Sequence, residues 1–396
     1  ISLIIVSIFF SCNNKKSITT PAAGTSTFID DYPGSSPYLT QDAAGNAVLS
    51  WVRALDDSSF VFCYSVSIDG GTTFNTPVVI PASKNIKSHA ENLPKIIFKP
   101  SGEIIAVWGA ASTSDKNKYA GSIFYAQSFD AGKTWTEAQP LVKDTAGYDQ
   151  RYFDVSLLPG GEAGIIWLDN RKQTIKDGSG LYYAVTDGKN GFANERRISE
   201  PTCQCCRTDL LVDSKNNVHV LYRGIIQDSI RDMVHQVSTD GGKTFSTPKR
   251  ISNDNWVLNA CPHTGPAMTE NGKGLHFAWF TGGKEEGTFY TQSNDVGNSF
   301  APSNKVTTAG SHPQITSAGD GAIIIVWDEK VRIGDKSFSR IGMQTRTAAG
   351  SPAQKRFITP NTTNASYPVV LPGKENQTLV AYCQKNEGRN FIAYKR

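Results

Sequence analysis

The segment Ser67-Ile-Asp-Gly-Gly-Thr-Thr-Phe74 recurs three more times with small changes. The copies are Ser128-Phe-Asp-Ala-Gly-Lys-Thr-Trp135, Ser238-Thr-Asp-Gly-Gly-Lys-Thr-Phe245 and Ser293-Asn-Asp-Val-Gly-Asn-Ser-Phe300. In each copy the aspartate can accept backbone N–H hydrogen bonds, the glycine permits a positive φ, and the aromatic ring can anchor the loop in a core. We therefore expect each copy to be a tight turn between strands. With a fifth, degenerate copy, Thr186-Asp-Gly-Lys-Asn-Gly-Phe192, the structural aspartates are Asp69, Asp130, Asp187, Asp240 and Asp295.

A second periodicity covers the whole chain and is independent of these turns. An aromatic residue ends an apolar run at steps of 57, 59, 55, 57, 48 and 55 residues, at Trp51, Trp108, Trp167, Tyr222, Trp279, Trp327 and Tyr382. Each step has room for four short strands, and no stretch shows a helical period. Four strands per unit of this length are typical of a β-propeller blade. The sequence therefore predicts an all-β propeller of seven four-stranded antiparallel blades.

The last of the seven units is one strand short. It stops after the run from Asn390 to Tyr394, which would be its third strand. The segment from Ser26 to Asp31 is the simplest source of a fourth strand, and its pairing there would close the ring. We therefore interpret residues 26–396 as a single propeller domain.

The repeated turn resembles the Asp-box, or BNR repeat, of the sialidase (neuraminidase) superfamily. Four good copies at blade-like spacing make the match specific, and it implies a sialidase-like β-propeller. Sialidases have six blades, so a six-bladed ring is the alternative to seven. The resemblance also implies an exo-α-sialidase or related glycosidase activity on a sialylated or related glycan, with no cofactor.

The first twelve residues look like a targeting signal. An apolar run from Ile1 to Phe10 ends at Ser11 and Cys12, and the chain then turns polar. This resembles a bacterial lipoprotein signal, in which residues 1–11 are removed and Cys12 is acylated. Residues 12–25, which begin at this lipidated cysteine, would form a flexible tether. We expect an extracytoplasmic protein, lipid-anchored to a bacterial membrane in the periplasm or at the cell surface; a plain cleaved secretory signal is the alternative.

The composition excludes several classes of function. Forty Lys and Arg stand against 36 Asp and Glu, so the net charge is 40 − 36 = +4, without basic runs. This balance argues against a nucleic-acid partner. No later apolar run approaches the ~20 residues of a membrane-spanning helix, so a lipid anchor would be the sole membrane attachment. We expect the protein to be a monomer.

The links that enter first strands and the links that leave second strands share one face of a propeller, and they carry the candidate residues for hydrolysis. In the sialidase family three arginines bind the substrate carboxylate, a tyrosine assisted by a glutamate is the nucleophile, and an acidic residue transfers the proton. Arginine suits this role because its planar fork binds a carboxylate through two hydrogen bonds. The matching candidates are Arg151, Arg171, Arg207 and Arg223 for the cluster, Asp169 or Glu91 for the acid, and Tyr367 for the nucleophile.

The cysteines favour a different function for the same face. Cys203, Cys205 and Cys206 lie in one entering link, and Cys261 and His263 lie in the next. Thiolates and imidazoles that converge at a propeller mouth suit a soft metal such as Cu or Zn. Because an even number of cysteines remains after Cys12, a disulfide between Cys261 and one of the triplet is the competing interpretation.

A third interpretation assigns no chemistry to the face. Propellers often bind a glycan or another protein on a flat face, and a fold does not imply a function. The protein would then be an envelope scaffold.

Overall fold

A computed structural model describes residues 26–87, 89–112, 117, 119–143, 147–171, 178–373 and 377–396. Within these residues the chain forms seven four-stranded antiparallel sheets and two short 3-10 helices. No described helix has the length and apolarity needed to cross a membrane. The predicted signal, Cys12 and the whole predicted tether lie outside the described residues.

The strands follow one another in chain order, and each group of four forms one blade. The first blade contains β2 (Gly34–Gln41), β3 (Ala47–Ala54), β4 (Phe60–Ser67) and β5 (Val78–Ile80). The second contains β6 (Lys95–Phe98), β7 (Ile104–Ala111), β8 (Gly121–Ser128) and β9 (Gln139–Pro140). The third contains β10 (Gln150–Leu157), β11 (Ala163–Asp169), β12 (Ser179–Thr186) and β13 (Phe192–Thr202). The fourth blade contains β14 (Asp209–Val212), β15 (Val218–Arg223), β16 (Met233–Ser238) and β17 (Lys249–Arg250). The fifth contains β18 (Ala267–Asn271), β19 (Gly274–Thr281), β20 (Gly287–Ser293) and β21 (Asn304–Thr307). The sixth contains β22 (Gly310–Ser317), β23 (Ile323–Ile333), β24 (Lys336–Arg346) and β25 (Pro352–Phe357).

The seventh blade joins the two ends of the domain. It contains β26 (Ala365–Pro372), β27 (Thr378–Asn386) and β28 (Arg389–Lys395), and its outer strand is β1 (Thr27–Phe28). Strand β1 pairs with β28, and the Ile29 N–H donates to the carbonyl of Ile392 at 3.0 Å. The seven-bladed ring and its closure by an N-terminal strand are therefore confirmed, and the six-bladed alternative is wrong.

The core lies between the blades. All seven aromatic residues of the periodic pattern lie in second strands and are at most 2% exposed. Each packs against the preceding blade: Trp108 contacts the cluster of Phe62 and Ile80, and Trp279 contacts that of Leu221 and Met233. Burial of a large apolar side chain stabilises a fold by about 3 kcal/mol. The repeated aromatic residue thus holds neighbouring blades together.

The four Ser-x-Asp turns share one hydrogen-bond network. In the first, Ser67 Oγ donates to Asp69 at 2.8 Å and accepts from the Gly71 N–H at 2.7 Å. The N–H and hydroxyl of Thr73 both donate to Asp69, at 2.9 and 2.6 Å. These bonds hold the pKa of the Asp69 carboxyl well below its usual range. Equivalent bonds hold the turns of Asp130, Asp240 and Asp295, as predicted.

The degenerate copy at Asp187 forms a different turn. It continues into a 3-10 helix, Gly188–Asn190, and the Asp187 N–H donates to the carbonyl of Gly191 at 2.9 Å. Thr186 Oγ1 donates to Glu162 instead of to the aspartate. The loss of the serine and of the following Gly-x-Thr spacing therefore removed the network but kept a turn.

Two stacked histidines in the fourth blade make the stability of the protein depend on pH. His219 Nδ1 lies 3.0 Å from His235 Nε2, and His219 Nε2 lies 3.2 Å from Asp213. With both rings neutral, His235 donates to His219 and His219 donates to Asp213. Burial, with the charges of His219 and Lys249, lowers the pKa of His235 to about 3. The folded protein therefore keeps this ring neutral while the unfolded chain binds a proton.

Stability from His235 should therefore be lost as the pH falls from about 6.5 towards 3. A lowered pKa of this size corresponds to about 2 kcal/mol of unfolding free energy between pH 6.5 and pH 5. We expect the variant His235→Gln to lose less unfolding free energy between these two pH values, because glutamine does not titrate. Its amide can still donate a hydrogen bond to His219. Urea unfolding of both proteins at the two pH values measures it. Equal losses in the two proteins would show that the wild-type ring is protonated in the folded state.

Candidate functional site

Bulges near the start of four described first strands turn side chains toward one end of the channel. The pairing with the second strand shifts at the same position in β2, β10, β22 and β26. A left-handed residue stands in each bulge, with φ between 50° and 55°: Ser36, Tyr152, His312 and Tyr367. Such values are uncommon outside glycine and cost on the order of 1 kcal/mol, and bulges of this kind often re-aim side chains at functional sites. We call this end of the channel, with Glu91 and His263, the mouth.

A buried ion pair occupies the centre of the mouth. Glu91 is 2% exposed and Arg207 is 5% exposed, and Arg207 Nη1 donates to Glu91 Oε1 at 2.7 Å. The Gly265 N–H donates to the other carboxylate oxygen at 2.7 Å. Arg207 Nη2 donates to the carbonyls of Gly265, Pro266 and Pro313. Both predicted residues are therefore at the predicted face, but their hydrogen-bonding groups are already engaged with each other and with the entries of the fifth and sixth blades.

Asp169 and Arg171 lie within the third blade, beside its buried tryptophan. Asp169 is fully buried, accepts from Trp167 Nε1 at 3.2 Å, and forms an ion pair with Arg171 at 2.9 Å. Arg171 also pairs with Glu195 at 2.9 Å and covers the ring of Tyr182. Burial raises the pKa of Asp169.

The sixth blade repeats this arrangement. Trp327 Nε1 donates to Glu329 at 2.9 Å, and Glu329 pairs with Arg340 at 2.5 Å. An acid and an arginine beside the blade tryptophan are therefore a recurrent feature of blade construction. The geometry gives Asp169 and Arg171 partners within their own blade, at the end of β11 that pairs with the start of β10.

The remaining two candidate arginines have separate surroundings. Arg223 is 1% exposed and lies over the ring of Trp256, with its centroid 4.9 Å away. Arg151 is half-buried at the rim of the mouth, where it pairs with Asp149 and donates to the carbonyl of Tyr119. The four predicted arginines thus have four different sets of partners. They are not assembled around one open space.

Tyr367 lies at the mouth beside a histidine and an aspartate. Its ring centroid is 4.3 Å from that of His312, and its N–H donates to Asp328 at 2.7 Å. His312 Nδ1 bonds Asp328 Oδ2 at 2.9 Å. Burial alone would lower the pKa of His312, but the charge of Asp328, this hydrogen bond and the charge of Glu91 together raise it. Burial, Asp328 and Glu91 together raise the pKa of Tyr367 to about 12. The predicted tyrosine therefore has carboxylates beside it, together with an imidazole oriented by Asp328.

Two further histidines flank this group. The ring of His89 lies 5.6 Å from that of Tyr152 and 5.7 Å from that of His263, centroid to centroid. Burial lowers the pKa of His89, and the charges of His263 and Arg151 lower it further. His263, with φ of 48°, is exposed. The mouth is therefore lined with imidazole and phenol groups.

The three cysteines of the fourth entering link form one cluster, which we call the trithiol. Cys203 Sγ lies 3.5 Å from Cys205 Sγ and 3.9 Å from Cys206 Sγ, and all three sulfurs are within 4.8 Å of one another. The three residues are 1% to 4% exposed and pack with Tyr152, Leu210 and other apolar side chains. Contacts with the other two thiols, with a smaller contribution from the charge of Arg223, lower the pKa of Cys203. Burial raises the pKa of Cys206.

Cys261 and His263 do not join this cluster. Cys261 is exposed and free, so the anticipated disulfide to the triplet is not formed in the structure. Within the described residues, the group of possible metal ligands contains the three cysteines alone. Cys63 and Cys383 are free, buried thiols in the first and seventh blades.

A polar cavity of about 470 Å³ fills the channel below the mouth. Lys95, 3% exposed, pairs with Asp154, whose second oxygen accepts from the Leu210 N–H at 2.7 Å. Burial and the charge of Asp154 raise the pKa of Asp209. No local sequence pattern indicates this group, because Lys95, Asp154 and Asp209 each occupy one position in a different first strand.

The bulges were missed as well, although a local signal existed. The tripeptide Ser-x-Pro stands at three of the bulges, as Ser35-Ser36-Pro37, Ser311-His312-Pro313 and Ser366-Tyr367-Pro368. Its recurrence at three blade entries could have indicated a shared backbone conformation.

Several solved structures share the architecture. A protein of unknown function from Dyadobacter fermentans is 14% identical, with a TM-score of 0.53 over 93% of this chain and 96% of its own. An intramolecular trans-sialidase from Ruminococcus gnavus is 9% identical, with a TM-score of 0.52 over 92% and 94%. The fold is sialidase-like. The NanB sialidase from Streptococcus pneumoniae is 12% identical, with a TM-score of 0.50 over 94% of this chain and 69% of its own.

The likeness stops at the fold. No protein-family model matches the chain, and no curated protein matches it in sequence. At identities of 9% to 14% the neighbours assign no residue of this site a role.

Proposed function

We propose that this protein is a soft-metal-binding propeller of the bacterial envelope, attached by lipid at Cys12, whose trithiol holds Cu or Zn. The observation that carries the proposal is the convergence of three buried sulfurs within 4.8 Å. Thiolates are preferred ligands of soft metals, and removal from water strengthens such a site. Cys261 and His263, on the neighbouring link, are exposed and would serve at most in delivering the ion.

A structural role explains the trithiol less well. A buried apolar thiol needs no partner, as Cys63 and Cys383 illustrate in other blades. A disulfide would use two of the three sulfurs, and neighbouring cysteines such as Cys205 and Cys206 bond to each other only with strain. A metal ion can bind all three sulfurs at once, whereas a disulfide leaves one of them unused.

The test is the metal content of the full chain, reduced and handled without oxygen. We expect one Cu or Zn per wild-type chain and none in the double variant Cys205→Ser Cys206→Ser. The matched controls are Cys63→Ser and Cys383→Ser, which change buried thiols elsewhere and should retain the metal. A thermal melt checks that each variant is folded. The proposal is refuted if the reduced wild type binds no metal. It is also refuted if two cysteines of the trithiol stay bonded to each other under reducing conditions.

A sialidase-like exo-glycosidase with the repeated Asp-box turns is the second candidate. It is favoured by Tyr367, which lies at the mouth with the charges of Asp328 and Glu91 beside it, since tyrosine is the nucleophile in sialidases. Three of the four arginines are at most 5% exposed and already engaged, so a substrate carboxylate would have to displace Glu91 from Arg207. The partner would then be a sialylated or related glycan.

A fluorogenic sialoside tests this candidate directly. Turnover by the wild type that is abolished in Tyr367→Phe and retained in the control Tyr32→Phe would support it, because the Tyr32 ring is exposed and lies against Arg53, whereas the Tyr367 ring lies against His312. Absence of turnover in the wild type removes it. If metal and turnover are both absent, a scaffold that binds a glycan or an envelope protein remains.

A further inference from the structure

The polar cavity in the channel, which we call the channel cavity, opens at the end of the ring opposite the mouth. Its lining includes Ala43, in the turn between β2 and β3, and Pro100, in the turn between β6 and β7. Both residues are exposed. At its other end the lining reaches Arg207, whose ion pair with Glu91 occupies the centre of the mouth. A ligand would therefore enter the channel cavity from the face that bears the Ser-x-Asp turns.

Two buried charges in the channel cavity balance each other. Lys95 is 3% exposed and Asp154 is 5% exposed, and Lys95 Nζ donates to Asp154 Oδ1. The ammonium of Lys95 also lies over the ring of Tyr38, 5.1 Å from its centroid. Asp154 accepts two backbone N–H bonds as well, at 2.8 and 2.7 Å. The pair is neutral, and both oxygens of the Asp154 carboxylate are in use.

Asp209 adds a negative charge that no cation balances. It lines the channel cavity from β14, and its carboxylate accepts from the Met268 N–H at 2.5 Å. Among the described residues it forms no ion pair, and Lys95 is paired with Asp154. Burial and the charge of Asp154 raise the pKa of Asp209, as expected for a carboxylate without a counter-ion. A charge held away from bulk water is costly, so the channel cavity favours a ligand that brings a positive charge.

We propose that the channel cavity binds a small organic ammonium ion, with Asp209 as its counter-ion. The volume of about 470 Å³ is within the range of small-molecule sites and far exceeds that of a single metal ion. Apolar side chains of the lining, such as Leu93 and Ile315, would cover the hydrocarbon part of such a ligand. Asp42, at the open end, also forms no ion pair in the part of the chain that the structure describes. A diamine could therefore place a second ammonium group near that end.

The same observations disfavour the other ligand classes. Calcium takes about six to eight oxygen ligands, but within the described ranges the trithiol alone brings three possible metal ligands within 4.8 Å of one another. An uncharged alcohol could bond the polar groups of the lining but would leave the charge of Asp209 unbalanced. An anion would add a further negative charge to a cavity that three aspartates line.

Isothermal titration of the full chain with 1,4-diaminobutane tests the proposal, and 1,4-butanediol is the uncharged control of the same length. We expect one diamine per chain and binding of the diol that is weaker by at least about tenfold, because the diol lacks the charge. Calcium should not displace the diamine. The proposal is wrong if the diamine does not bind, if the diol binds as tightly, or if calcium competes with the diamine.

Two variants with the same change of charge locate the site. Asp209→Asn keeps an acceptor for the Met268 N–H and should weaken diamine binding by about 10- to 100-fold, because a charge-assisted hydrogen bond is lost. The control Asp320→Asn changes an exposed aspartate in the turn between β22 and β23 that does not line the channel cavity, and it should bind like the wild type. Equal affinity of the two variants would overturn the proposal.

Two further variants keep the test decisive. Ser156→Phe fills part of the channel cavity without a change of charge and should also weaken binding, so it replaces Asp209→Asn if that variant does not fold. The double variant Cys205→Ser Cys206→Ser should bind the diamine like the wild type, since the trithiol does not line the channel cavity. Loss of diamine binding in this double variant, or full binding in Ser156→Phe, would place the diamine elsewhere and refute the proposal. Neither result depends on whether the trithiol binds a metal.

Discussion

Replacement of Glu91 by glutamine is expected to lower the free energy of unfolding by about 3 kcal/mol. The change keeps the size of the side chain and removes the charge that balances Arg207, which is 5% exposed. Removal of one partner of a buried ion pair typically costs 3 to 5 kcal/mol, because the other charge stays buried without compensation. Urea unfolding followed by tryptophan fluorescence measures the change.

The matched control is Glu195→Gln. Glu195 also pairs with an arginine at 2.9 Å, but its side chain is 42% exposed, against 2% for Glu91. A surface pair contributes at most about 1 kcal/mol, so this variant should be nearly as stable as the wild type. If the two variants lose similar stability, burial does not determine the strength of the Glu91 pair.

A similar loss, about 3 to 5 kcal/mol, is expected for Asp154→Ala in the channel. The variant leaves Lys95 without its ion-pair partner and leaves the Leu210 N–H without its acceptor. Because these residues belong to β10, β6 and β14, three blades lose a shared contact at once. Without the neighbouring charge of Asp154, Asp209 should ionise more easily. Its carboxylate would then balance part of the Lys95 charge and reduce the loss of unfolding free energy.

The double variant Lys95→Met Asp154→Leu tests the explanation. It removes both charges and fills the space with apolar groups, so we expect it to be more stable than Asp154→Ala by at least 1 kcal/mol. Urea unfolding at neutral pH compares the two. Equal stability would mean that the uncompensated Lys95 charge is not what destabilises the single variant.

The sequence predicted the ring better than it predicted the site. Steps of 48 to 59 residues between buried aromatics set the number of blades, because each blade needs one large side chain against its neighbour. The short last unit likewise predicted closure by the N-terminal segment. Because the aromatic pattern occurs in all seven units, an irregular copy in one unit does not change the predicted number of blades.

The site residues offered no such redundancy. Arg171, Arg207 and Arg223 look alike in sequence, yet the structure pairs them with Glu195, with Glu91 and with backbone carbonyls. Which partner an arginine finds depends on packing between blades, and no local pattern encodes that. The trithiol was easier to predict, since three cysteines within four residues cannot lie far apart.

The left-handed residues at the mouth have a consequence for protein engineering. Because Ser36, Tyr152, His312 and Tyr367 stand in bulges, their side chains can be exchanged without rewriting the strands that hold the ring. At the half-buried His312 and Tyr367, asparagine or glycine should relieve the backbone and raise the stability of the protein. At the buried Tyr152 the packing that is lost would outweigh this gain. The same exchange would erase the imidazole and phenol groups at the mouth. A screen for thermostability would therefore select variants with an emptied mouth, and a screen for activity would select against them.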